Sequence, residues 1–285
     1  MIIHLVDGTY ELFRHFYGIR RFKKTDPPLG AVSGVLSTVV QLLDDGGTHV
    51  GVATDHIIES FRNPMWAGYK TGAGVERALR AQFEPLEEAL AAMGVAVWAM
   101  VELEADDALA AAAHLAAQDS RVEKICIWTP DKDLAQCVVD DRVVQVDRRS
   151  GVIRDADGVR AKFGVAPEFI PDYLALVGDA ADGYPGISGC GPKTAAQLIN
   201  RYGPLEKFPP EALNDKNREL ALLFKDLATL RTDEPLFKNV DELEWRGTTP
   251  KFAAVAEKIG NASLTKRVKR LEKKLMPQKG AQGTK

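Results

Sequence analysis

Five short runs in the first half of the chain are nearly continuous in apolar residues: IIHLV at 2–6, HVGVAT at 49–54, VAVWAMV at 95–101, KICIWT at 124–129 and RVVQV at 142–146. Runs of this length and composition predict strands of a parallel sheet covered on both faces. Helical spacing occupies the gaps, at about 31–43, 76–93 and 106–118, the last being the alanine-rich DDALAAAAHLAAQ. Alternation of this kind predicts an α/β layered sheet with right-handed crossovers. After about residue 160 the strand signal fades. Six segments there (DADGVRAKFG, PEFIPDYLALVG, PKTAAQLINRYG, DKNRELALLFKDLATLRT, TPKFAAVAEKIG and SLTKRVKRLEKKL) read as successive helices punctuated by glycine or proline. The expected organisation is an α/β core over 1–165, a helical region over 166–276 and a flexible tail at 277–285. Residues 63–75, with three glycines and no periodicity, are the expected flexible segment of the first half.

Composition narrows the class only slightly. A chain of 285 residues, 45% hydrophobic and 27% charged, can bury a full core as one large domain or two modest ones. The N-terminal run meets Asp7 too early for a signal-peptide core, and no later run is long enough to span a bilayer. Cys126, Cys137 and Cys190, odd in number and unpaired in spacing, suggest reduced thiols and a cytoplasmic setting. The net charge of −3 is unusual for a nucleic-acid binder, but charge is segregated: the end LTKRVKRLEKKLMPQKGAQGTK is basic. Its 265–275 stretch reads as a solvated amphipathic helix or as a nucleic-acid contact.

The acids explain where the negative charge goes. Asp7 ends the first predicted strand and Asp55 the second; Glu104, Asp106 and Asp107 follow the third; Asp131 and Asp133 follow the fourth. In a parallel sheet these ends share one edge, where ligand sites of open α/β folds form. Asp179 and Asp182 can close the cluster from the helical side. Each acid alone has an ordinary explanation; Asp106 and Asp107, for instance, suit a helix N-terminus. Recurrence at four strand ends does not. So many carboxylates together require cations, and all-oxygen ligation suits Mg²⁺ or Mn²⁺. Two such ions, roughly 4 Å apart, can activate water and stabilise the leaving oxygen of a phosphodiester. Other chemistries lack their residues. Thr9 occupies the position where haloacid-dehalogenase-type phosphatases carry a second aspartate, no G-x-S-x-G elbow is present, and the five histidines have no zinc spacing.

The stretch GISGCGPKTAAQLI at 186–199 has the form of a helix-hairpin-helix. Gly186, Gly189 and Gly191 permit close backbone approach, and the amides around Lys193 and Thr194 at a helix start suit phosphate oxygens. Such contacts hold a duplex without reading its bases. The plain alternative is a helical corner with proline at its first position.

In order, VDGTYELFR, Asp55 followed by Phe61-Arg62, Tyr69-Lys70, EADD, TPDKDLAQ and GDAADGYPGISGCGPKTAAQLI resemble the motifs of the 5′-nuclease family. That family comprises bacterial 5′–3′ exonucleases, the N-terminal nuclease of DNA polymerase I and flap endonucleases; the likeness runs from about 2 to 208. The resemblance implies a PIN-like α/β core, a helix-three-turn-helix element for duplex DNA, and two Mg²⁺ or Mn²⁺ ions. It places Asp7, Asp55, Glu104 and Asp106 around the first ion, and Asp131, Asp133, Asp179 and Asp182 around the second, with Asp107 nearby. It gives Lys70 a contact to the scissile phosphate, with Arg14 and Arg62 supporting the phosphate path and Tyr69 beside the DNA. It also implies K⁺ held by carbonyls of the hairpin loop. The expected substrates are DNA with 5′ flaps, nicks or overhangs and RNA–DNA primer ends, cut by a monomer acting in primer removal or repair. With no polymerase segment after the helical region, a stand-alone nuclease is expected. Alternatives from other classes are a structure-specific DNA-binding protein without cleavage and a PIN-type ribonuclease. Three features depart from the family pattern. TGAG follows Tyr69-Lys70 where an arginine is usual, leaving Arg77 or Arg80 as substitutes. Gly183 replaces an asparagine, which is expected to loosen its turn. The segment between Asp55 and Glu104 is compact for a threading arch.

Overall fold

The computed structural model describes residues 1–20 and 27–275; the tail expected at 277–285 lies outside the described residues. Strands β1 (Ile2–Asp7), β2 (His49–Asp55), β3 (Ala96–Met100), β4 (Lys124–Trp128), β5 (Val143–Asp147) and β6 (Val152–Arg154) form one sheet in the order β3-β2-β1-β4-β5-β6. The first five are parallel, as their apolar runs predict, and β6 returns antiparallel along β5. Side chains alternate between faces. Ile3, Leu5, Ile125 and Ile127 enter one apolar layer, and Val6, Val50 and Val52 enter the other.

Helices α1 (Gly8–Arg20), α2 (Gly30–Asp44), α3 (Arg77–Arg80) and α4 (Phe83–Ala92) cover one face, and α5 (Ala105–Ala117) covers the other. The alanines of α5 let it lie close on β1 and β2. Helix α1 was not anticipated by the pattern; its Leu12 and Phe16, four apart, are the buried pair that fixes it. The single helix expected at 76–93 is two, broken at 81–82. Gln82 sits in the break, and its Oε1 accepts from the amides of Ala31 (3.1 Å) and Val32 (3.3 Å), satisfying the start of α2 where Leu29 offers no side-chain cap.

The second half is helical as expected: α6 (Ala156–Phe163), α7 (Ile170–Val177), α8 (Pro192–Tyr202), α9 (Asp215–Ala228), α10 (Phe252–Ile259) and α11 (Ala262–Leu275). Helices α6 to α9 share a core that includes Phe163, Leu174, Ile199 and Phe224. The last two helices do not join them. Phe252 of α10 and Leu264, Val268 and Leu271 of α11 pack with Leu36, Leu86 and Leu90 on the sheet layer, and Trp245 donates to the Met93 carbonyl at 2.8 Å. Packing therefore returns the C-terminal part of the 166–276 region to the α/β layer, because α11 turns its apolar stripe toward α2. Among the described residues, no helix is long and apolar enough to cross a membrane.

Candidate metal centre and phosphate-facing hairpin

The sheet order reverses direction between β1 and β4, so the crevice of this α/β fold opens above their C-terminal ends. Asp7 closes β1 there, and Asp131 follows β4. A cleft of about 360 Å³ is lined by Asp7, Asp55, Lys70, Asp106, Asp131 and Asp182, among others. Strand-end geometry thus brings together acids spread over 176 positions of sequence, from Asp7 to Asp182.

Several of the carboxylates are oriented by a neighbour. Asp7 accepts from the Tyr10 amide at 2.8 Å and from the Thr129 hydroxyl at 3.0 Å. Asp55 accepts from the Ala105 amide at the start of α5 (2.8 Å). Glu104 caps α5 and accepts from the Ser60 hydroxyl at 2.6 Å. Asp179 accepts from the Ala181 amide at 2.9 Å and pairs with Lys132 at 2.8 Å. Lys70 joins the two sides of the cleft, with its Nζ at 2.8 Å from Glu104 and 2.9 Å from Asp182.

Charge is crowded in this cleft. Burial, then the nearby Asp55 and Asp131, pushes Asp7 up to about 7. Burial with Asp131 and Asp7 holds Asp106 well above the usual carboxylate range, and burial with Asp131, Asp182 and Asp179 does the same to Asp133. Asp55 and Asp182 are also raised, chiefly by burial. Glu104 is the exception: burial pushes it up, but Lys70 and Arg62 outweigh that and hold it low. Asp131 is the strongest charged neighbour of both Asp106 and Asp133.

These residues fit divalent cations. The donors are hard oxygens throughout. Asp133, Asp179 and Asp182 each offer a ligand atom, all within 4.8 Å of one another. Asp133 Oδ1 is buried with no hydrogen-bond partner, as expected for an oxygen meant for something other than protein.

The hairpin after α7 leads into α8, whose cap Gly191 and first-turn residues Lys193 and Thr194 are exposed. No acid lies in that first turn, so its amides face outward unopposed. Gly189 is exposed in the left-handed region, at φ +81°.

Residues 2–164 match the family model of the 5′-3′ exonuclease N-terminal resolvase-like domain, and 165–251 match that of the 5′-3′ exonuclease C-terminal SAM fold. The chain belongs to the 5′–3′ exonuclease family. DNA polymerase I of Pseudomonas aeruginosa is 36% identical over 259 residues, covering 84% of this chain; the chain spans only 28% of that relative's length. The 5′-3′ exonuclease of Aquifex aeolicus is 29% identical and is covered end to end, at 95% of both chains. Among solved structures, the bacteriophage T5 flap endonuclease in a pseudo-enzyme-product complex with DNA and metal ions aligns with a TM-score of 0.61 over 96% of this chain and 98% of that one. Identity there is 18%, so the likeness is one of fold.

Within this family frame, several residues expected in the site turn out to serve other roles. Arg62 is 1% exposed and bidentate to Asp107, with both contacts at 2.7 Å, and it also donates to the carbonyls of Leu227 and Thr229. All its donors point inward, so it is a buried tie between α5 and the end of α9, not a phosphate ligand. Asp107 is consumed by the same pair and by the amides of Glu104 and Arg231, which removes it from the metal set. Tyr69 is buried and donates to Glu104 at 3.3 Å, so it orients a carboxylate instead of touching DNA. Arg14 is paired with Glu11 of its own helix at 2.8 and 2.5 Å and reaches Thr38 of α2 at 3.3 Å, but its side chain stays partly exposed, so a place on the phosphate path is left open to it. Gly186 is buried against the backbone of 176–178, where a Cβ would lie 2.4 Å from the Gly178 amide; it closes the hairpin rather than presenting it. Arg77 and Arg80 are exposed on α3.

Two further expectations change. The glycine at 183 does not loosen its turn. At φ +84° it lets the turn dock on the 66–70 segment, where a Cβ would sit 2.0 Å from the Gly68 carbonyl; Trp66 donates to the Gly183 carbonyl and the Lys70 amide to that of Asp182. That docking, with the Asn63 amide group on the Lys70 carbonyl and Glu59 on the Gly72 amide, pins the segment expected to be flexible. Thr9, Ser60, Thr129 and Lys132 were missed as site residues. Only Lys132, set between two acids in TPDKD, carries a local signal.

Proposed function

We propose that this family member is a structure-specific 5′-nuclease that hydrolyses DNA phosphodiesters at 5′ flaps, nicks, overhangs and RNA–DNA primer ends. What supports it most directly is Lys70, a cation set between the acids of the strand ends and those after α7, in a cleft whose other charged lining residues are all carboxylates. Two Mg²⁺ or Mn²⁺ ions fit there: Asp7, Asp55, Glu104 and Asp106 would hold one, Asp133, Asp179 and Asp182 the other, with Asp131 facing both. When bound, such ions polarise the phosphodiester and lower the pKa of water.

The chain's own residues do the rest. Thr9, Ser60, Tyr69, Thr129 and Lys132 set the carboxylate orientations. Lys70 places a positive charge where a phosphate develops negative charge. The start of α8, with Lys193 and Thr194, holds the duplex backbone, and carbonyls of the 186–191 loop are the proposed K⁺ site. We assign the metal cleft to the 1–165 core completed by Asp179 and Asp182, and the duplex grip to the 166–276 region. Binding of this kind is electrostatic and salt-sensitive. Kinship to part of a DNA polymerase I supports a role in primer removal or repair, which we place in the cytoplasm and assign to a monomer.

The test is cleavage of a 5′-labelled flap duplex on a denaturing gel, with Mg²⁺ or EDTA, beside single-stranded DNA and RNA. Mg²⁺-dependent cutting near the junction is expected, lost in Asp131→Asn while flap binding persists. Tight flap binding without cutting in either Mg²⁺ or Mn²⁺ would instead identify a binding protein, and preferential RNA cutting a PIN-type ribonuclease.

A further inference from the structure

Strand β5 is buried from Val143 to Val146, and three of those four residues are the valines that such a strand calls for. Gln145 breaks the run, with 0% exposure. It stands two residues after Val143, on the α5 face, and opposite Ile127 of β4. A buried amide is costly unless both of its ends are paired. Here both are. Its Nε2 donates to the carbonyl of Asp131, and its Oε1 accepts from Nη1 of Arg154 on β6. The side chain therefore links the edge strand to the loop after β4, at the residue that supplies a cleft carboxylate.

The loop shows what that link does. The Asp131 amide donates to the Thr129 hydroxyl oxygen at 3.2 Å, and Asp131 Oδ1 accepts from the Asp133 amide at 3.1 Å. Holding the Asp131 carbonyl fixes the peptide between Asp131 and Lys132, and with it the direction in which the Asp131 carboxylate leaves the backbone. Gln136 clamps the other acid of the loop: its Nε2 donates to the Asp133 carbonyl at 2.8 Å and to the Ala228 carbonyl, at the end of α9, at 2.9 Å. The sheet thus grips the loop at Asp131, and the helical region grips it at Asp133. We propose that Gln145, its amide oriented by Arg154, is a positioning residue of the metal cleft that holds the Asp131 carboxylate toward a bound cation. Packing alone would be served by a fourth valine. Neither Gln145 nor Arg154 belongs to the motifs that carry the family resemblance, and the assignment rests on the metal reading above. It is of the kind in which outer partners fix the orientation of metal ligands.

The experiment compares Mn²⁺ binding, followed by the electron paramagnetic resonance signal of the free ion, in wild type, Gln145→Met and Val143→Ala, together with metal-free Tm and 5′-flap binding in EDTA. Gln145→Met keeps the length of the side chain and removes the donor to Asp131. It should weaken Mn²⁺ binding by about 10-fold or more, in line with losses of outer partners, while flap binding in EDTA is unchanged. The Mg²⁺ concentration that gives half-maximal flap cleavage should rise with it. Val143→Ala removes core volume from the same strand and face without touching the loop. Its Tm should fall, and its Mn²⁺ affinity should stay that of wild type. Should Gln145→Met fail to fold, Gln145→Val takes its place with the same expectation. Wild-type Mn²⁺ affinity in the Gln145 variant, or equal weakening in Val143→Ala, overturns the assignment. Absence of Mn²⁺ binding to wild type would overturn the metal reading itself.

Discussion

Arg62→Met separates a structural from a catalytic arginine. The guanidinium is 1% exposed and Asp107 is fully buried, with two parallel contacts of 2.7 Å between them. Two carbonyls, Leu227 at 2.8 Å and Thr229 at 3.2 Å, take further donors. Methionine fills much of the volume but leaves the Asp107 charge buried with amide donors only. Removing one partner of a buried pair costs about 3–5 kcal/mol. For a chain of this size each kcal/mol shifts Tm by roughly 2–4 °C, so a fall of about 6–20 °C is expected.

The assay is urea unfolding and thermal melting of Arg62→Met, Asp107→Leu and the double variant. Because the double variant has no orphaned charge, it should be less destabilised than the sum of the single ones. It will not reach wild type, since the amides of Glu104 and Arg231 lose their acceptor. Additivity within about 0.5 kcal/mol would refute the pairing argument. So would Arg62→Met that melts like wild type yet loses flap cleavage, which would restore the phosphate role.

Two other perturbations read the same structure elsewhere. Glu11 is buried, which pushes its carboxyl up, but hydrogen bonds from His15, Arg14 and Thr38 outweigh burial and lower it from 4.5 to about 2. A depressed folded-state pKa gives stability that is full above the unfolded value and lost as pH falls through the folded one. The stability difference between wild type and Glu11→Gln, up to about 3 kcal/mol, should therefore hold above pH 4.5 and shrink toward pH 2 in urea titrations; a pH-independent difference would contradict it. Gly183→Ala places a Cβ 2.0 Å from the Gly68 carbonyl at φ +84°, and should cost roughly 1–3 kcal/mol or more by melting. A neutral melt would mean that the 66–70 segment does not dock as described.

What was legible in the sequence is what local pattern encodes. The five parallel strands stood out because burial on both faces leaves no polar alternation, and the acids stood out because they follow those strands. Helix α1 did not, since its buried side includes the charged Glu11 beside Leu12 and Phe16, which blurs the apolar stripe, and β6 is only three residues long. Pairings across the fold were out of reach for a physical reason. Arg62 meets Asp107 and Leu227, and Tyr69 meets Glu104, only because the chain returns from α9 to α5 and from the 66–70 segment to the cleft. A motif says that an arginine or tyrosine is present; burial decides whether it faces solvent or a carboxylate.

The same contacts explain how the fold tolerates its charge. Lys70 answers Glu104 and Asp182, Lys132 answers Asp179, and Arg62 answers Asp107. Those four acids also carry the joins between the α/β layer and the helical region, so their pairing secures the walls of the cleft. Among the described residues, Asp7, Asp55, Asp106, Asp131 and Asp133 have no lysine or arginine within ion-pair distance, and Asp7, Asp106 and Asp133 are the carboxyls held furthest from their ordinary range. Repulsion is therefore concentrated on oxygens that face the cleft, and spared at those that face the protein. Cations bound to the cleft oxygens would relieve the repulsion, and at Glu104, Asp179 and Asp182 they would share the carboxylate with the lysine already paired there.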